Sequence, residues 1–121
     1  MARYHHLPVF QKCYAFSKQI YQLKLGLPKA IKHDLGSDFF CSTLRCIKLV
    51  IFANGLETKE KALKEVILEL EVQWVYLRLL HDLKALSSGQ FKELSSRLSE
   101  IGAQASAWLA WEKKQKRERE K

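Results

Sequence analysis

The chain of 121 residues carries 21 Lys and Arg against 13 Asp and Glu, a formal net charge of +8, and 47% of its residues are hydrophobic. This length fits one domain with its own core, and the apolar fraction excludes general disorder. No apolar run approaches the roughly 18 residues of a transmembrane helix, and the N-terminal segment lacks a signal peptide's apolar core. We therefore expect a cytoplasmic protein with no membrane partner. The positive charge makes a polyanion a reasonable partner, nucleic acid before membrane.

The first half of the chain predicts two amphipathic helices. Pro8 suits the first turn of a helix whose apolar residues recur at helical spacing as far as Gly26. The segment at residues 26–29 breaks that helix because it contains both Gly and Pro. A second helix is expected to begin between Lys29 and Asp34 and to end near Gly55.

The third predicted helix, Thr58–Leu86, organises the chain, with Thr58 as its N-cap. At about 100° per residue its apolar side chains form two stripes on nearly opposite sides. The first stripe consists of Leu63, Val66, Ile67, Leu70, Trp74 and Leu77. The second consists of Leu68, Val72, Val75, Leu79, Leu83 and Leu86.

One stripe is enough to pack the third helix onto a small bundle. Leaving the second stripe in water would forgo roughly 1.5–3 kcal/mol per large side chain. Another copy of the chain is the simplest cover, which predicts a homo-oligomer. The residues expected at its interface are Leu68, Val72, Val75, Leu79 and Leu83. The alternative is a central helix enclosed within its own bundle.

A fourth helix is predicted after Ser87, which has capping-box spacing with Gln90. Its apolar seam is spaced by three and four residues, and Gly102 would permit close helix approach. From Lys113 the sequence becomes strongly basic, as in a solvated helix end or a flexible arm. We therefore predict an all-α, antiparallel up-down four-helix bundle over residues 1–112 and a basic C-terminal tail over residues 113–121.

The chain offers no positive sign of catalysis. None of the phosphate-binding, metalloprotease or serine-hydrolase motifs occurs, and no carboxylate pair stands out in an apolar setting. Cys13, Cys41 and Cys46 form no CxxC pair and are expected to be buried free thiols. His81 is expected in the core or at an interface. We therefore expect no enzyme activity, no metal and no cofactor.

Several basic side chains are candidates for phosphate contact. They lie beside the first turn, on the second, third and fourth helices, and in the tail. Phosphate contact should dominate over base reading, since no recognition-helix motif is present. The candidates are Lys29, Lys32, His33, Arg45, Lys48, Arg78, Arg97, Lys113, Lys114, Lys116 and Arg117.

The order and spacing of several short motifs resemble a known family. Leu27-Pro28-Lys29 follows the first helix, and Asp82-Leu83 precedes the turn at Leu86-Ser87. Glu100-Ile101-Gly102 is followed by Trp108. Together with the Leu-rich third helix, these marks resemble Avd, the accessory variability determinant of diversity-generating retroelements, over roughly residues 9–111. That family is in turn similar to the four-helix-bundle proteins encoded in 23S rRNA intervening sequences.

The resemblance implies a homopentameric, barrel-like assembly with a positively charged surface. It also implies that the reverse transcriptase and its template RNA, with DNA as a further candidate, are partners in mutagenic cDNA synthesis. Two positions depart from the family pattern. Ala103 stands where an Arg often follows the Gly, which removes a candidate nucleic-acid contact, and Ser106 replaces a common second Gly. The alternatives are a bundle protein of the rRNA intervening-sequence kind and a small enzyme with a site between helices.

Overall fold

The computed structural model describes residues 4–120, which contain no β-strand, so the predicted all-α class is confirmed. Its helices are α1 (Pro8–Leu25), α2 (Lys29–Ile31), α3 (Ser37–Gly55), α4 (Glu60–Asp82) and α5 (Ser88–Arg119). A 3-10 turn at Tyr4–His6 precedes α1, and a π-helical segment at Lys32–Gly36 joins α2 to α3. Residues 1–3 of the predicted bundle and Lys121 of the predicted tail lie outside the described part.

The four long helices enclose one core. Helix α1 packs against α3 and α5, and α4 packs against the same two helices. Each long helix contributes fully buried apolar side chains to a shared cluster, because each has an apolar stripe that must leave water. Examples are Phe16 and Ile20 of α1, Phe39 and Val50 of α3, Leu70 and Leu77 of α4, and Leu98 and Ile101 of α5.

The link between α1 and α3 depends on a close approach. Helix α1 has Pro8 in its first turn and Gly26 at its C-cap, as predicted. Gly36, at the end of the π-helical segment, is buried against the end of α1. A Cβ atom at Gly36 would lie 3.2 Å from both the Leu27 Cδ1 atom and the Lys24 Cγ atom. The absence of a side chain there lets this segment pack against the end of α1.

The start of α4 differs from the prediction. The helix begins at Glu60 with Lys59 at the N-cap, so the assignment of Thr58 as N-cap was wrong. The ammonium group of Lys59 donates hydrogen bonds to the carbonyl oxygens of Asn54, at 3.1 Å, and of Leu56. A cation at these otherwise unpaired carbonyls holds the loop to the end of α3. This interaction sets the entry into α4 without a side-chain cap.

The end of α4 is a Schellman motif with lysine in place of the usual glycine. Lys84 has φ of 63°, and its N–H donates to the His81 carbonyl at 3.0 Å. The Ala85 N–H donates to the Leu80 carbonyl at 2.8 Å. Because the chain turns here, Leu86 is buried, and its placement in the second stripe was wrong.

Helix α5 begins with the predicted capping box. The Ser87 hydroxyl accepts from the Gln90 N–H at 3.1 Å, and the Gln90 side-chain oxygen accepts from the Ser87 N–H at 2.9 Å. The helix continues through residues 113–119, so this stretch is a helix end rather than a flexible arm. A Cβ atom at Gly102 would meet nothing within 4 Å, so the predicted close approach does not occur within the chain.

Candidate nucleic-acid and oligomer interfaces

The two predicted stripes of α4 have different environments. Leu63, Val66, Leu70 and Leu77 of the first stripe are buried. The second stripe, which we call the α4 outer face, is formed by Leu68, Val72, Val75, Leu79 and Leu83, with exposed fractions of 65%, 37%, 57%, 39% and 54%. The chain does not enclose α4 within its own bundle. It leaves a continuous apolar stripe uncovered, and monomers rarely expose such a stripe.

A polar network joins α3 to α4 beside this face. The carboxylate oxygen Oε2 of Glu69 accepts from the Ser42 hydroxyl at 2.5 Å and from the Arg45 guanidinium at 3.2 Å. The Gln73 amide donates to the Ser42 carbonyl at 3.2 Å. Arg45, a candidate phosphate ligand, therefore has a partner within the chain. Lys48 on the same helix is exposed and takes part in none of the ion pairs found among residues 4–120.

Three of the candidate cations lie together beside the α1–α3 link. Lys29 opens α2 and is exposed, while Lys32 and His33 belong to the π-helical segment. His33 is exposed and Lys32 is half-buried. The fold thus gathers these three groups on one short surface segment, as their spacing suggested.

The candidates on α4 and α5 have acidic neighbours. Arg78 lines a surface groove between these helices with Trp74 and His81, and Glu71 and Asp82 line it too. The ring of His81 stacks on Phe91 at a centroid distance of 4.4 Å, so this half-buried histidine has an aromatic partner. Arg97 lies 3.9 Å from Glu93, one turn earlier on α5. Acidic neighbours therefore offset part of the charge of both arginines.

The basic end of α5 lies next to the start of α4. The Lys116 ammonium is 3.8 Å from a carboxylate oxygen of Glu60. Lys113, Lys114 and Arg117 are exposed around it. Within one chain the candidate cations therefore occupy separate locations and form no single binding site.

A second apolar surface was missed in the sequence. A groove of about 490 Å³ runs between α1 and α3, and we call it the α1–α3 groove. The sequence contained a signal, because Phe10, Tyr14 and Tyr21 on α1 are spaced like a second stripe. Its principal lining residues are Phe10, Tyr14, Tyr21, Leu44, Ile47 and Ile51.

The cysteines are free thiols in two environments. Cys13 and Cys46 are buried with their sulfur atoms 4.0 Å apart, whereas Cys41 is exposed, so its predicted burial was wrong. Five residues on a helix turn through about 500°, which places Cys41 far round α3 from Cys46. The hydrogen bond with Cys13, followed by burial and the charges of Cys13 and Glu69, raises the pKa of Cys46. Residues 4–120 contain no group of three or more His, Cys, Asp or Glu side chains that could hold a metal ion.

The sequence of this chain matches a known protein family. A model of the bAvd-like family matches residues 8–112. The chain belongs to the bAvd-like family. Comparisons with curated proteins and with solved structures found no match. The bAvd-like match covers α1, α3 and α4 entirely and ends at the last turns of α5, just before the basic stretch. In the described part of this bAvd-like chain, every helix is too short or too polar to cross a bilayer.

Proposed function

We propose that this protein is a non-catalytic accessory protein of a diversity-generating retroelement. In this role it binds the reverse transcriptase and the template RNA and supports mutagenic cDNA synthesis in the cytoplasm. The observation that carries the proposal is the bAvd-like family match over residues 8–112. The polymerase supplies the chemistry, and the accessory protein contributes binding and positioning.

The charge of the chain supports RNA as a partner. A net charge of +8 on 121 residues attracts a polyanion, and most of the candidate cations have exposed side chains. Phosphate contacts of this kind position a protein on RNA without reading sequence. The same property would allow contact with DNA. In an oligomer the separate basic locations would be repeated in every copy, and together they would create a strong positive electrostatic field.

We infer that the four long helices alternate up and down, and that the chain assembles through the α4 outer face. Phe39 stacks on Tyr76, and Ala53 shares a cluster with Ala62 and Leu63, as expected for antiparallel neighbours. Burying the five side chains of the outer face would contribute roughly 1.5–3 kcal/mol each at full burial. The family resemblance supports five copies in a barrel.

The experiment that tests RNA binding is a salt titration of the purified protein with template RNA. If about five phosphates are neutralised, log K against log salt should slope by roughly −3.5 to −4.5. Replacing Lys113, Lys114, Lys116 and Arg117 with Gln keeps the length of α5 and should make the slope shallower. Binding that is insensitive to salt and to these changes would mean that the excess charge serves solubility alone.

The identity of the element is tested by the neighbouring genes. A reverse transcriptase gene with template and variable repeats beside it supports the proposed role. Insertion within a 23S rRNA gene would instead support a role of the intervening-sequence kind.

A further inference from the structure

The α1–α3 groove is an apolar surface that no other segment of residues 4–120 fills. Tyr14 and Leu44 are about half exposed, at 53% and 45%, and Tyr21 and Ile51 are exposed at 42% and 36%. All the groove's lining residues come from α1, α3 and the turn before α1. The α4 outer face therefore shares no residue with it. Residues 4–120 of one chain therefore leave two separate apolar surfaces in water.

One of these surfaces projects from a helix and the other is a groove between two helices. The outer face is a row of side chains along one side of a helix, at positions that step by three and four residues, which is how a helix presents anchors to a groove. From Leu68 to Leu83 it spans roughly 22 Å at 1.5 Å per residue. From Phe10 to Tyr21 the groove spans roughly 16 Å on the same basis. The groove is thus about three quarters as long as the row of side chains, long enough to receive most of it.

The helices that carry the two surfaces differ in net charge. Helix α4 carries five acidic and three basic side chains, so it is acidic overall despite the basic chain. Helix α1 carries Lys12, Lys18 and Lys24 and no acidic residue. Lys18 lines the groove beside Tyr14, and Lys24 lies 5.8 Å from the Tyr21 ring centroid. Lys48 occupies the same side of α3 as Leu44 and Ile51.

We propose that the α1–α3 groove receives the α4 outer face of a second copy of this chain. The inference rests on the assembly in the proposed function and names the surface that accepts α4. The contact is heterologous, because two different surfaces meet, so each copy offers α4 to one neighbour and receives α4 from another. Such a contact extends into a ring or a filament and does not end at a pair.

The test uses two reporter cysteines in a Cys41→Ser background, since Cys41 is the exposed native thiol. One chain carries Leu44→Cys in the groove, and a differently tagged chain carries Val75→Cys on the outer face. The chains are co-expressed and treated with a short bismaleimide. We expect a cross-linked product containing both tags and no cross-linking when either variant is expressed alone. As a control, Ser99→Cys at an exposed position of α5 is paired first with Leu44→Cys and then with Val75→Cys. Neither control pair should give a two-tag product.

Other results would overturn the proposal. Cross-linking of Val75→Cys chains expressed alone would mean that two outer faces meet each other. A Leu44→Cys thiol that reacts freely in the oligomer and is shielded only by added RNA would make the groove a nucleic-acid site. A second reporter pair, Tyr14→Cys with Leu79→Cys, is tested in the same way. If the protein sediments as an oligomer but neither pair gives the two-tag product, the groove is not the interface, although the chain still assembles. A Cys41→Ser chain that sediments as a monomer would refute the proposed assembly as well.

Discussion

The guanidinium of Arg45 on α3 lies 3.2 Å from the carboxylate of Glu69 on α4. The same oxygen of Glu69 also accepts from the Ser42 hydroxyl, and its side chain is 13% exposed. A basic residue that the sequence placed among the phosphate ligands is thus also part of the contact between two helices. Glu69 therefore neutralises part of the charge of Arg45 within the chain. Lys48, one turn further along α3, has no such partner among the described residues and is the better candidate for phosphate contact.

Charge reversal should separate these two roles. Arg45→Glu would set two carboxylates side by side at a partly buried position and should lower the free energy of unfolding by about 1–2 kcal/mol. Lys48→Glu should change it by less than about 0.5 kcal/mol while weakening RNA binding to many sequences alike. Chemical denaturation and an RNA titration check both variants. Equal stability of the two would mean that the Arg45–Glu69 pair contributes nothing to the fold.

Lys84 holds a backbone conformation that favours glycine. With φ at 63° its Cβ is crowded, which costs roughly 1–2 kcal/mol for an L side chain. Lys84→Gly should therefore raise the free energy of unfolding by about 1 kcal/mol, measured by thermal or chemical denaturation. Lys84→Ala removes the same charge and keeps the Cβ, so it should give no such gain. A stabilised Ala variant would attribute the effect to charge.

The course of the helices could be read from the sequence where the signals were local. Pro8 in the first turn of α1 and the Ser87–Gln90 capping box depend on neighbouring residues only. The errors at Thr58 and Leu86 came from contacts that no local pattern contains. Lys59 reaches back to the Asn54 carbonyl at the end of α3, and Lys84 takes the left-handed position that usually identifies a glycine. In both places tertiary or backbone geometry overrode the expected signal.

The candidate interfaces could be predicted only in part. Helical spacing was sufficient to separate the buried and exposed sides of α4. On α1 the prediction covered only the core-facing stripe and did not include Tyr14 and Tyr21, which lie outside the core. Arg45 and Glu69 are 24 positions apart, and helical spacing within a single sequence does not predict a pair at that separation. The structure is therefore needed to tell which basic side chains form ion pairs within the chain.

The buried Cys46 thiol should make stability depend on pH in the alkaline range. Its pKa is raised above the ordinary value of 9.0, so the folded protein keeps the proton that the unfolded chain loses. The stabilisation is fully present below pH 9.0 and is lost as the pH rises above it. Between pH 9 and 10 the wild type should lose up to about 1.4 kcal/mol more than Cys46→Ala. If the free energies of unfolding of the two proteins fall equally between pH 9 and 10, the raised pKa of Cys46 is contradicted.

The α4 outer face should control assembly without controlling the fold. Leu79 is 39% exposed in the single chain, so Leu79→Asp should leave the helical content unchanged. At an interface the same carboxylate would be buried without a partner, which should weaken association by about 2 kcal/mol or more, roughly 30-fold. Val72→Asp should act alike, and Ser99→Asp on α5 serves as a control of equal charge. Sedimentation at micromolar concentration measures the oligomeric state of each variant. A wild-type protein that sediments as a monomer would contradict assembly through the α4 outer face.

The central claim is that this protein assists a reverse transcriptase and performs no catalysis itself. We would measure template-dependent cDNA synthesis by the reverse transcriptase of the proposed retroelement, with and without this protein. We expect mutagenised cDNA only when both proteins and the template RNA are present. We also expect no synthesis by this protein alone, and a loss of stimulation with Leu79→Asp. Equal cDNA yield and sequence without the protein, or metal-dependent activity of the purified protein that is lost on mutating His33 or His81, would contradict the claim.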